Sequence, residues 1–254
     1  MASSARHGDD FALPLVPLSN LVGCHLVIEE KLDGSNCAIS FDASATPWLQ
    51  SRGHYLLGGP RERHFAQLKS FVATHRQDLY AVLSDRYVLY GEYLAAKHTI
   101  WYDSLEHYFY EFDVFDKLSG CFLSTPARRA LLASSGVVSV PVLFEGVLWP
   151  AGATPKISDL WAFIGPSLYK SPTWRDKLVA QANKTGQDPS VILSETDPSD
   201  LSEGIYIKIE TKTETIGRAK LVRSDFVASL TRADAKRQHW LDRPHLANHL
   251  RSDV

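Results

Sequence analysis

The segment His25–Phe41 (HLVIEEKLDGSNCAISF) constrains the fold of this chain most, because it consists of an apolar strand, a polar turn and a second strand. In the turn, Asp33 to Asn36, Gly and Asn tolerate positive φ, while the Asp and Ser side chains bond back to the backbone. Aromatic and β-branched residues predict further strands at Tyr87–Leu94, Tyr108–Phe115 and Gly204–Glu210. The chain is therefore expected to build antiparallel sheets.

Helices and shorter strands are predicted between and after these segments. Apolar residues recur at helical spacing from Arg61 to Leu83, with a break near His75, and a Thr-Pro pair opens a helix at Thr125–Ser134. Two shorter strands are expected at Trp48–Arg52 and Arg218–Val222, and loops with short helices at Pro141–Ser202. The fold class is therefore α+β, with antiparallel sheets and flanking helices. Since the chain contains neither a GxGxxG motif nor a Walker loop, the pattern supports neither a dinucleotide-binding site nor a P-loop.

Length, composition and net charge limit the number of domains and the kind of protein that this chain can form. The 254 residues allow one large domain or two small ones, and the 44% apolar content is enough for a sizeable core. A net charge of -2 excludes a uniformly basic nucleic-acid coat protein. The charge is uneven, however, because the segment Gly204–Val254 holds ten Lys or Arg residues against six Asp or Glu residues. An anionic ligand would be favoured in that part of the chain.

Cysteine usage and hydropathy indicate a reducing environment without membrane contact. Cys24, Cys37 and Cys121 are odd in number and widely spaced, so neither a disulfide framework nor a zinc knuckle is expected. The polar start MASSARHGDD lacks the apolar region of a secretory signal, and no apolar run approaches the ~20 residues that span a membrane. We therefore expect a soluble, intracellular protein, located in the cytoplasm.

Lys31, in the run Lys31-Leu32-Asp33-Gly34, lies where a predicted strand meets the turn. A lysine in such a place is ordinarily a solvated surface residue. The chemical alternative is covalent catalysis, in which a lysine amine attacks phosphorus because nearby cations and desolvation hold its pKa far below the usual value of about 10.4. Such a lysine needs companions, so the residues that follow decide between the two interpretations.

The first candidate companions are an arginine and a glutamate. Arg52 follows Lys31 by 21 residues and could grip a phosphate with two hydrogen bonds, although alone it is a surface arginine. Glu92 lies between aromatic residues in a predicted strand, where an unpaired carboxylate is costly to bury. A structural salt bridge remains the alternative for Glu92.

Later companions lie on the aromatic strand and near the C-terminus. Between Phe109 and Phe115 aromatic residues alternate with acids, so one face could stack on a base or pack in the core. Glu203 introduces a predicted strand that carries Lys208, and more cations follow on the next element. A carboxylate followed by converging cations could hold a metal and a polyphosphate, or these side chains could be solvated strand ends.

The ordered set resembles the covalent nucleotidyltransferase superfamily of ATP-dependent ligases and mRNA capping enzymes. Lys-x-Asp-Gly is the lysine-bearing motif of that superfamily, and the resemblance is closest to RNA ligases of the type that seals nicks in duplex RNA. The matching segments follow in family order: Glu30–Asn36, Ser51–Gly53, Leu89–Leu94, Phe109–Asp116, Glu203–Lys208 and Lys220–Arg223. The resemblance implies an α+β nucleotidyltransferase (ATP-grasp-like ligase adenylation) fold.

The resemblance also implies roles around an ATP molecule. Lys31 would be the nucleophile that accepts AMP through a phosphoramidate bond, and Glu30 would read the adenine amino group. Phe112, with Tyr110 as the alternative, would stack on the adenine ring. Glu92 would hold the ribose hydroxyls.

A metal and the phosphates would lie beside the nucleophile. Glu203 would bind a divalent metal, Mg²⁺ or Mn²⁺, with Asp33 as a further ligand. Arg52 would contact the ribose or a phosphate and help engage the RNA 5′ end. The nucleotide-binding residues implied are Glu30, Asp33, Gly34, Arg52, Glu92, Phe112, Lys208, Lys220 and Arg223.

The late cations complete the implied catalytic set of Lys31, Lys208 and Lys220. Lys208, Lys220 and Arg223 would touch the phosphates, depress the pKa of Lys31 and neutralise the transition state. The last motif departs from a plain Lys-x-Lys, because it reads RAKLVR from Arg218 to Arg223. Whether Arg218 or Arg223 supplies the second cation is left open by the sequence.

The end of the chain bears on domain organisation. The 31 residues after Arg223 are too few for the OB domain that DNA ligases and capping enzymes append. We therefore expect residues 1–223 to form the adenylation domain, with no appended OB domain. Residues 224–254 are expected to form a short helical tail on the same domain, either facing RNA or simply packing.

The function expected from the resemblance is an ATP-dependent RNA ligase that joins 3′-OH and 5′-phosphate ends through lysyl-AMP and an adenylated RNA end. Its partners would be such an RNA and an end-healing kinase or phosphatase. Three alternatives stay open: a DNA ligase, a GTP-using capping-type nucleotidyltransferase, and a non-catalytic nucleotide- or RNA-binding module on the same fold. The sequence does not distinguish nicked, looped and single-stranded ends.

Overall fold

The structure, a computed structural model, describes residues 17–235 and 245–251. The polar start of the chain and the proline-containing part of the predicted tail lie outside the described residues. The described helices are α1 (Ala66–Thr74), α2 (Arg76–Leu83), α3 (Thr125–Leu132), α4 (Ile157–Trp161), α5 (Trp174–Lys184), α6 (Pro189–Ser194) and α7 (Ser224–Ala235), with 3₁₀ helices at Leu18–Leu21 and Pro60–Phe65.

The strands form one large, mainly antiparallel sheet. They are β1 (Leu26–Lys31), β2 (Ser35–Phe41), β3 (Pro47–Ser51), β4 (His54–Tyr55), β5 (Tyr87–Tyr93), β6 (Phe109–Asp116), β7 (Cys121–Leu123), β8 (Val138–Ser139), β9 (Val142–Gly146), β10 (Gly204–Glu210) and β11 (Glu214–Val222). Their order is β4-β3-β2-β5-β6-β7-β11-β10-β1-β9, and β8 pairs with β6 in parallel. The prediction of antiparallel sheet with helices is confirmed.

The predicted turn after Lys31 does not close a hairpin. β1 pairs with β9 and β10, whereas β2 pairs with β3 and β5. The turn therefore carries the chain from one part of the sheet to another. A local pattern of strand, turn and strand cannot distinguish this crossing from a hairpin, because the strand partners come from distant parts of the chain.

Two other segments differ from the prediction. β9 lies in the region expected to hold loops and short helices, and it forms at the sheet edge by pairing with β1. Its five residues are mostly half-buried, so they lack a clear alternation. β11 begins at Glu214, four residues before the predicted start, because its first residues pair with β7 as well as extending the ladder with β10.

The predicted helical segment is found as α1 and α2, with the break at His75, although its first residues belong to the 3₁₀ helix Pro60–Phe65. His75 has φ -100° and ψ 19°, outside the α-helical region, and it separates the two helices. α1 buries Leu68 and Val72, while α2 buries Leu79 and Leu83, all in one cluster with residues of β2, β5 and β6. Apolar burial thus fixes this pair of helices against the sheet.

A buried ion-pair network joins the strands that surround the candidate site. Arg128 of α3 is fully buried; its Nη1 lies 2.5 Å from Oε2 of Glu111, and its Nη2 contacts Glu29. Lys208 of β10, also fully buried, lies 3.0 Å from Oε2 of Glu29 and 3.3 Å from Oδ1 of Asp113. Because buried charges are costly unless paired, α3, β1, β6 and β10 must assemble together.

The C-terminal residues pack on the rest of the described chain. Phe226 of α7 is buried in a cluster with Leu32, the residue after the candidate lysine. Asn248 is fully buried and donates from Nδ2 to the carbonyl oxygen of Leu94 over 2.8 Å. The predicted division at residue 223 stays a prediction. Among the described helices, none is long and apolar enough to cross a membrane.

Candidate active site

A cavity of about 900 Å³ is lined by residues from two parts of the sheet. β1 and β11 contribute Lys31 and Lys220, whereas β2, β5 and β6 contribute Ser35, Glu92 and Phe112. The turn between β1 and β2 connects these parts, which explains why the Lys-x-Asp-Gly residues lie in the cavity wall. Both polar and apolar side chains line the cavity, as in sites for small organic ligands.

Lys31 is held against Glu203 by the pairing of β1 with β10. Lys31 lies opposite Gly204 in the register, and its Nζ is 2.7 Å from Oε1 of Glu203. A Cβ atom on Gly204 would lie 2.0 Å from the carbonyl oxygen of Leu221 on β11. The glycine after Glu203 is therefore required for the close approach of β11 to the strand that positions this carboxylate.

Nearby carboxylates raise the pKa of Lys31. Burial alone would lower it, but the negative charges of Glu203, Glu92 and Asp33 outweigh burial and raise the pKa above its ordinary value. The expectation that late-motif cations depress this pKa is therefore wrong for the protein alone. The physical reason is that Lys31 is paired with Glu203 and also feels the charges of Glu92 and Asp33, whereas most of the late cations have ion pairs of their own.

Two of these carboxyl groups have raised pKa values themselves. Removal from water raises the pKa of Glu92 to about 8, and the carboxylates of Glu203 and Asp33 add to the effect. Desolvation likewise raises the pKa of Glu203 to about 7. Oε1 of Glu92 accepts a hydrogen bond from the backbone N–H of Gly34 over 2.9 Å. The cavity therefore gathers several acid groups around the ammonium group of Lys31.

Asp33 anchors the loop between β5 and β6 to the candidate site. Its Oδ2 accepts hydrogen bonds from the backbone N–H groups of Thr99 and Ile100, over 2.7 and 2.6 Å. Its own N–H donates to Oη of Tyr102 over 2.8 Å. One carboxylate oxygen is thus committed to the loop, while the residue still lines the cavity.

Phe112 reaches the cavity from a β-bulge. In the register of β5 and β6, Tyr90 lies opposite Asp113 and Gly91 opposite Glu111, so Phe112 is the extra residue. Bulges re-aim side chains, and Phe112 lines the cavity. Nζ of Lys208 donates to the carbonyl oxygen of Phe112, so this buried lysine supports the bulge.

Glu30 is a buried carboxylate in the lining of the same cavity. Its side chain is buried, its Oε1 accepts a hydrogen bond from Oγ of Ser167 over 2.6 Å, and Oε2 accepts one from the N–H of Leu168. Desolvation raises the pKa of this carboxyl above its ordinary value, although Ser167 and Leu168 oppose the shift. The loop at 167–168 therefore orients Glu30.

The late cations separate into two groups. Lys220 lines the cavity together with Val222, two residues along β11. Arg218 instead lies 3.0 Å from Oδ2 of Asp113, and Arg223 lies 2.6 Å from Oδ2 of Asp197. Neither arginine belongs to the cavity lining, and the choice of the second cation stays a prediction.

A model of the family described as RNA ligase matches residues 25–222 of the chain. This span holds all the strands described above and the whole set of motif residues from Glu30 to Lys220. The chain belongs to the RNA ligase family. The resemblance predicted from the sequence is confirmed.

Solved structures agree with this assignment at the level of the fold. The RNA ligase of Naegleria gruberi matches as two variants with ATP and Mn, with TM-scores of 0.55 and 0.54 and identities of 18% and 16%. The same ligase with PPi matches with a TM-score of 0.53 and 18% identity. These matches cover 84–86% of this chain and 53–56% of the Naegleria chains, so this chain spans about half their length. No curated protein sequence matches significantly.

In this RNA ligase family member, most of the residues predicted from the sequence come together. The cavity lining includes Glu30, Lys31, Asp33, Gly34, Arg52, Glu92, Phe112, Glu203 and Lys220. Outside the lining lie Lys208, Arg218 and Arg223, as well as Tyr110, the alternative stacking residue, whose ring packs 4.8 Å from that of Tyr169 in a buried cluster.

Sequence reasoning missed several cavity residues. Ser35 lies in the matching segment Glu30–Asn36 but has no predicted role there, and His98 lies in a loop 67 residues after Lys31 without a motif of its own. Ser167, which orients Glu30, lies in a region predicted as loops. The buried pairing of Arg128 had no sequence signal beyond a charged residue on a predicted helix, because its two carboxylates lie on strands far away in the chain.

We expect Glu92 to make the protein less stable as the pH rises. In the unfolded chain its pKa is near 4.5, whereas in the fold it is about 8, so between these values only the folded state holds the proton. The stability that this proton provides is present below pH 4.5 and is lost as the pH approaches 8. Thermal unfolding without ligand measures this effect. Between pH 5.5 and 8.5, the Tm of Glu92→Gln should fall less than the Tm of the wild type.

The difference between the two proteins should reach at least about 2–4 °C at pH 8.5, since about 1 kcal/mol shifts Tm by that amount in a chain of this size. Glu145→Gln, at an exposed glutamate on β9, is the matched control and should follow the wild-type slope. Parallel curves of Tm against pH for all three proteins would contradict a raised pKa of the Glu92 carboxyl in the fold.

Proposed function

We propose that the protein is an ATP-dependent RNA ligase with a nucleotidyltransferase adenylation fold, acting through covalent lysyl-AMP. The observation that carries this proposal is the position of Lys31 in the wall of a 900 Å³ cavity, against Glu203 and beside Glu92 and Lys220. Membership of the RNA ligase family supports an RNA substrate, and the Naegleria ligase structures with ATP and Mn support ATP and a divalent metal.

The adenine base would bind near Glu30 and Phe112, which both line the cavity. The carboxylate of Glu30 would accept a hydrogen bond from the adenine amino group, and Ser167 holds that carboxylate in place. Phe112 would stack on the ring, while Glu92 would accept hydrogen bonds from the ribose hydroxyls. Lys220 and Arg52 would contact phosphates, and Lys31 would then face the α-phosphate, between the base and the charged end of the nucleotide.

The acid groups of the cavity fit a divalent cation. Glu203, Glu92 and Asp33 all act on Lys31, and all three line the cavity, so their oxygens surround the place where a cation would neutralise phosphate charge. Among the described residues, no three His, Cys, Asp or Glu side chains cluster closely enough to hold a metal alone. Glu203, with Asp33 as a further ligand, would therefore share Mg²⁺ or Mn²⁺ with phosphate oxygens and water. The bound metal would neutralise phosphate charge.

The covalent step follows from these positions. A divalent cation held by Glu203 would offset the carboxylate charge that raises the pKa of Lys31, and the ammonium group would then release its proton to water. Nζ then attacks the α-phosphorus, a P–N bond forms, the bond to the β-phosphate oxygen breaks, and pyrophosphate leaves. Lys208 acts here by supporting the Phe112 bulge rather than by touching phosphate.

Two transfers would then join the RNA ends. An oxygen of the RNA 5′-phosphate attacks the phosphorus of lysyl-AMP and displaces the lysine. The RNA 3′-hydroxyl next attacks the 5′-phosphorus, which forms the phosphodiester and releases AMP. Such an RNA needs a 5′-phosphate and a 3′-OH, ends that a kinase or phosphatase would prepare.

Incubation of the purified protein with α-³²P-labelled ATP and Mg²⁺ or Mn²⁺ tests this function. We expect a labelled protein band that is released by pyrophosphate, and sealing of a nicked duplex RNA. GTP and nicked DNA, tested in parallel, separate the capping-type and DNA ligase alternatives. A wild-type protein that binds RNA but takes no label with either nucleotide would instead be a binding module.

The Phe112 ring should account for a large part of ATP affinity. Stacking between a base and an aromatic side chain contributes about 1–3 kcal/mol, so Phe112→Ala should raise the KM for ATP about 5- to 150-fold. Phe112→Trp keeps a stacking face and should retain most of the affinity. KM values for self-adenylation measure both; equal KM values for the alanine variant and the wild type would argue against stacking.

A further inference from the structure

The cavity wall contains a serine and a histidine that the proposed reaction does not use. Oγ of Ser35 and Nε2 of His98 lie 3.3 Å apart. Both residues line the cavity together with Lys31, Arg52 and Lys220. Ser35 is buried and His98 is half-buried, so the pair faces the cavity rather than open solvent.

The pair is fixed relative to the nucleophile. Ser35 is the first residue of β2 and lies four residues after Lys31. On the other side, the two residues after His98 donate their backbone N–H groups to the carboxylate of Asp33. The same short turn therefore positions Lys31, the hydroxyl and the imidazole, so their relative placement does not depend on a flexible loop.

The charge balance of the cavity leaves a need for more donors to phosphate. Arg218 and Arg223 are held in ion pairs outside the lining, and Val222 occupies the lining position two residues after Lys220. A polyphosphate or an RNA end carries several negative oxygens, each of which requires a donor when it leaves water. A hydroxyl and an imidazole N–H are suitable donors for such oxygens.

We propose that Ser35 and His98 form a phosphate-binding subsite beside Lys31. The proposal rests on the proposed function for its location, since it adds a further phosphate position to the same cavity. Ser35 would donate from Oγ and His98 from Nε2 to oxygens of one phosphate group. That group belongs either to the pyrophosphate part of ATP or to the 5′ end of the RNA, and the two sources share the same chemistry.

The test combines binding with two separate reactions. Binding of inorganic pyrophosphate and of a 5′-phosphorylated RNA oligonucleotide is measured by calorimetry for the wild type, His98→Ala, His98→Gln and Ser35→Ala. The reactions are self-adenylation with labelled ATP, and sealing of a nicked RNA that already carries an adenylated 5′ end, without ATP. His25→Ala, at a histidine outside the cavity lining, is the matched control.

We expect His98→Ala to weaken the binding of either pyrophosphate or the RNA oligonucleotide about 10- to 100-fold. This is the effect expected when a hydrogen bond to a charged group is lost. His98→Gln, which keeps an N–H donor, should recover part of the affinity, and Ser35→Ala should weaken the same ligand. Weaker pyrophosphate binding with slower adenylation assigns the subsite to ATP. Weaker RNA binding with slower sealing of the adenylated nick assigns it to the RNA end.

Unchanged affinities for both ligands in His98→Ala and Ser35→Ala would overturn the subsite. If His98→Ala fails to fold, His98→Gln and Ser35→Ala decide the matter by the same binding measurements. A wild type that takes no label contradicts the proposed ligase function, but pyrophosphate binding still tests the subsite. The two proposals can therefore fail separately.

Discussion

Lys31→Ala is expected to reduce the transfer of AMP from ATP to the protein by at least about a thousandfold, as removal of a catalytic nucleophile does. Among the described residues, the other lysine of the cavity lining is Lys220. Lys220 lies on β11, and Lys31 is the one whose Nζ lies 2.7 Å from Glu203. Labelling with α-³²P-ATP, followed by mapping of the modified peptide, measures the effect.

Two further variants separate the chemistry of Lys31 from its charge. Lys31→Arg keeps the positive charge but carries a guanidinium that stays protonated, so it should also take no label. Lys117→Ala, at an exposed lysine after β6, should label like the wild type. Sealing of a preadenylated nick should survive in Lys31→Ala in part, because that last step forms no bond to the amine. A labelled Lys31→Ala protein would exclude Lys31 as the nucleophile.

Arg128→Met is expected to have the largest effect on stability. Arg128 is fully buried and pairs with Glu29 and Glu111, whose side chains are also fully buried. Removal of one partner from a buried ion pair leaves uncompensated charge and costs about 3–5 kcal/mol. Since folded proteins are stable by only about 5–15 kcal/mol, the variant should lose much of its free energy of unfolding. Urea denaturation measures the change.

The pH dependence of this variant provides a second readout. Arg128 lowers the pKa of Glu29, while desolvation raises it and prevails. Without Arg128 the folded-state pKa of Glu29 rises further, so the variant should lose more stability at pH 8 than at pH 5. Arg129→Met, at the exposed neighbour on α3, is the matched control and should change stability by less than about 0.5 kcal/mol. Equal losses in the free energy of unfolding for Arg128→Met and Arg129→Met would contradict a stabilising role of the buried ion pairs.

Much of the fold could be predicted from the chain because its signals are local. The strand that carries Glu92, the strand Gly204–Glu210 and the helix break at His75 all agree with the structure to within a residue or two. The half-exposed edge strand β9 could not be predicted, because pairing with β1 stabilises it rather than a pattern within its own five residues.

The candidate site also contains residues that could be predicted from the sequence and residues that could not. Residues that carry a motif, such as Lys31, Glu92 and Glu203, could be chosen from their order and spacing, and the structure places them in one cavity. Residues without a motif could not, and His98 is the example: it reaches Ser35 from a loop that is held by the carboxylate of Asp33 and by backbone hydrogen bonds to distant segments. The surroundings of Lys208 also depend on contacts across strands.

The sequence by itself determined the family and the longer strands, since their signals lie in short, contiguous segments. The tertiary structure decided which cations face the cavity, and it placed Lys220 there but paired Arg218 and Arg223 elsewhere. It also reversed the expected direction of the pKa shift of Lys31. The physical reason is that charge interactions depend on distance and burial in space, which the order of residues does not specify.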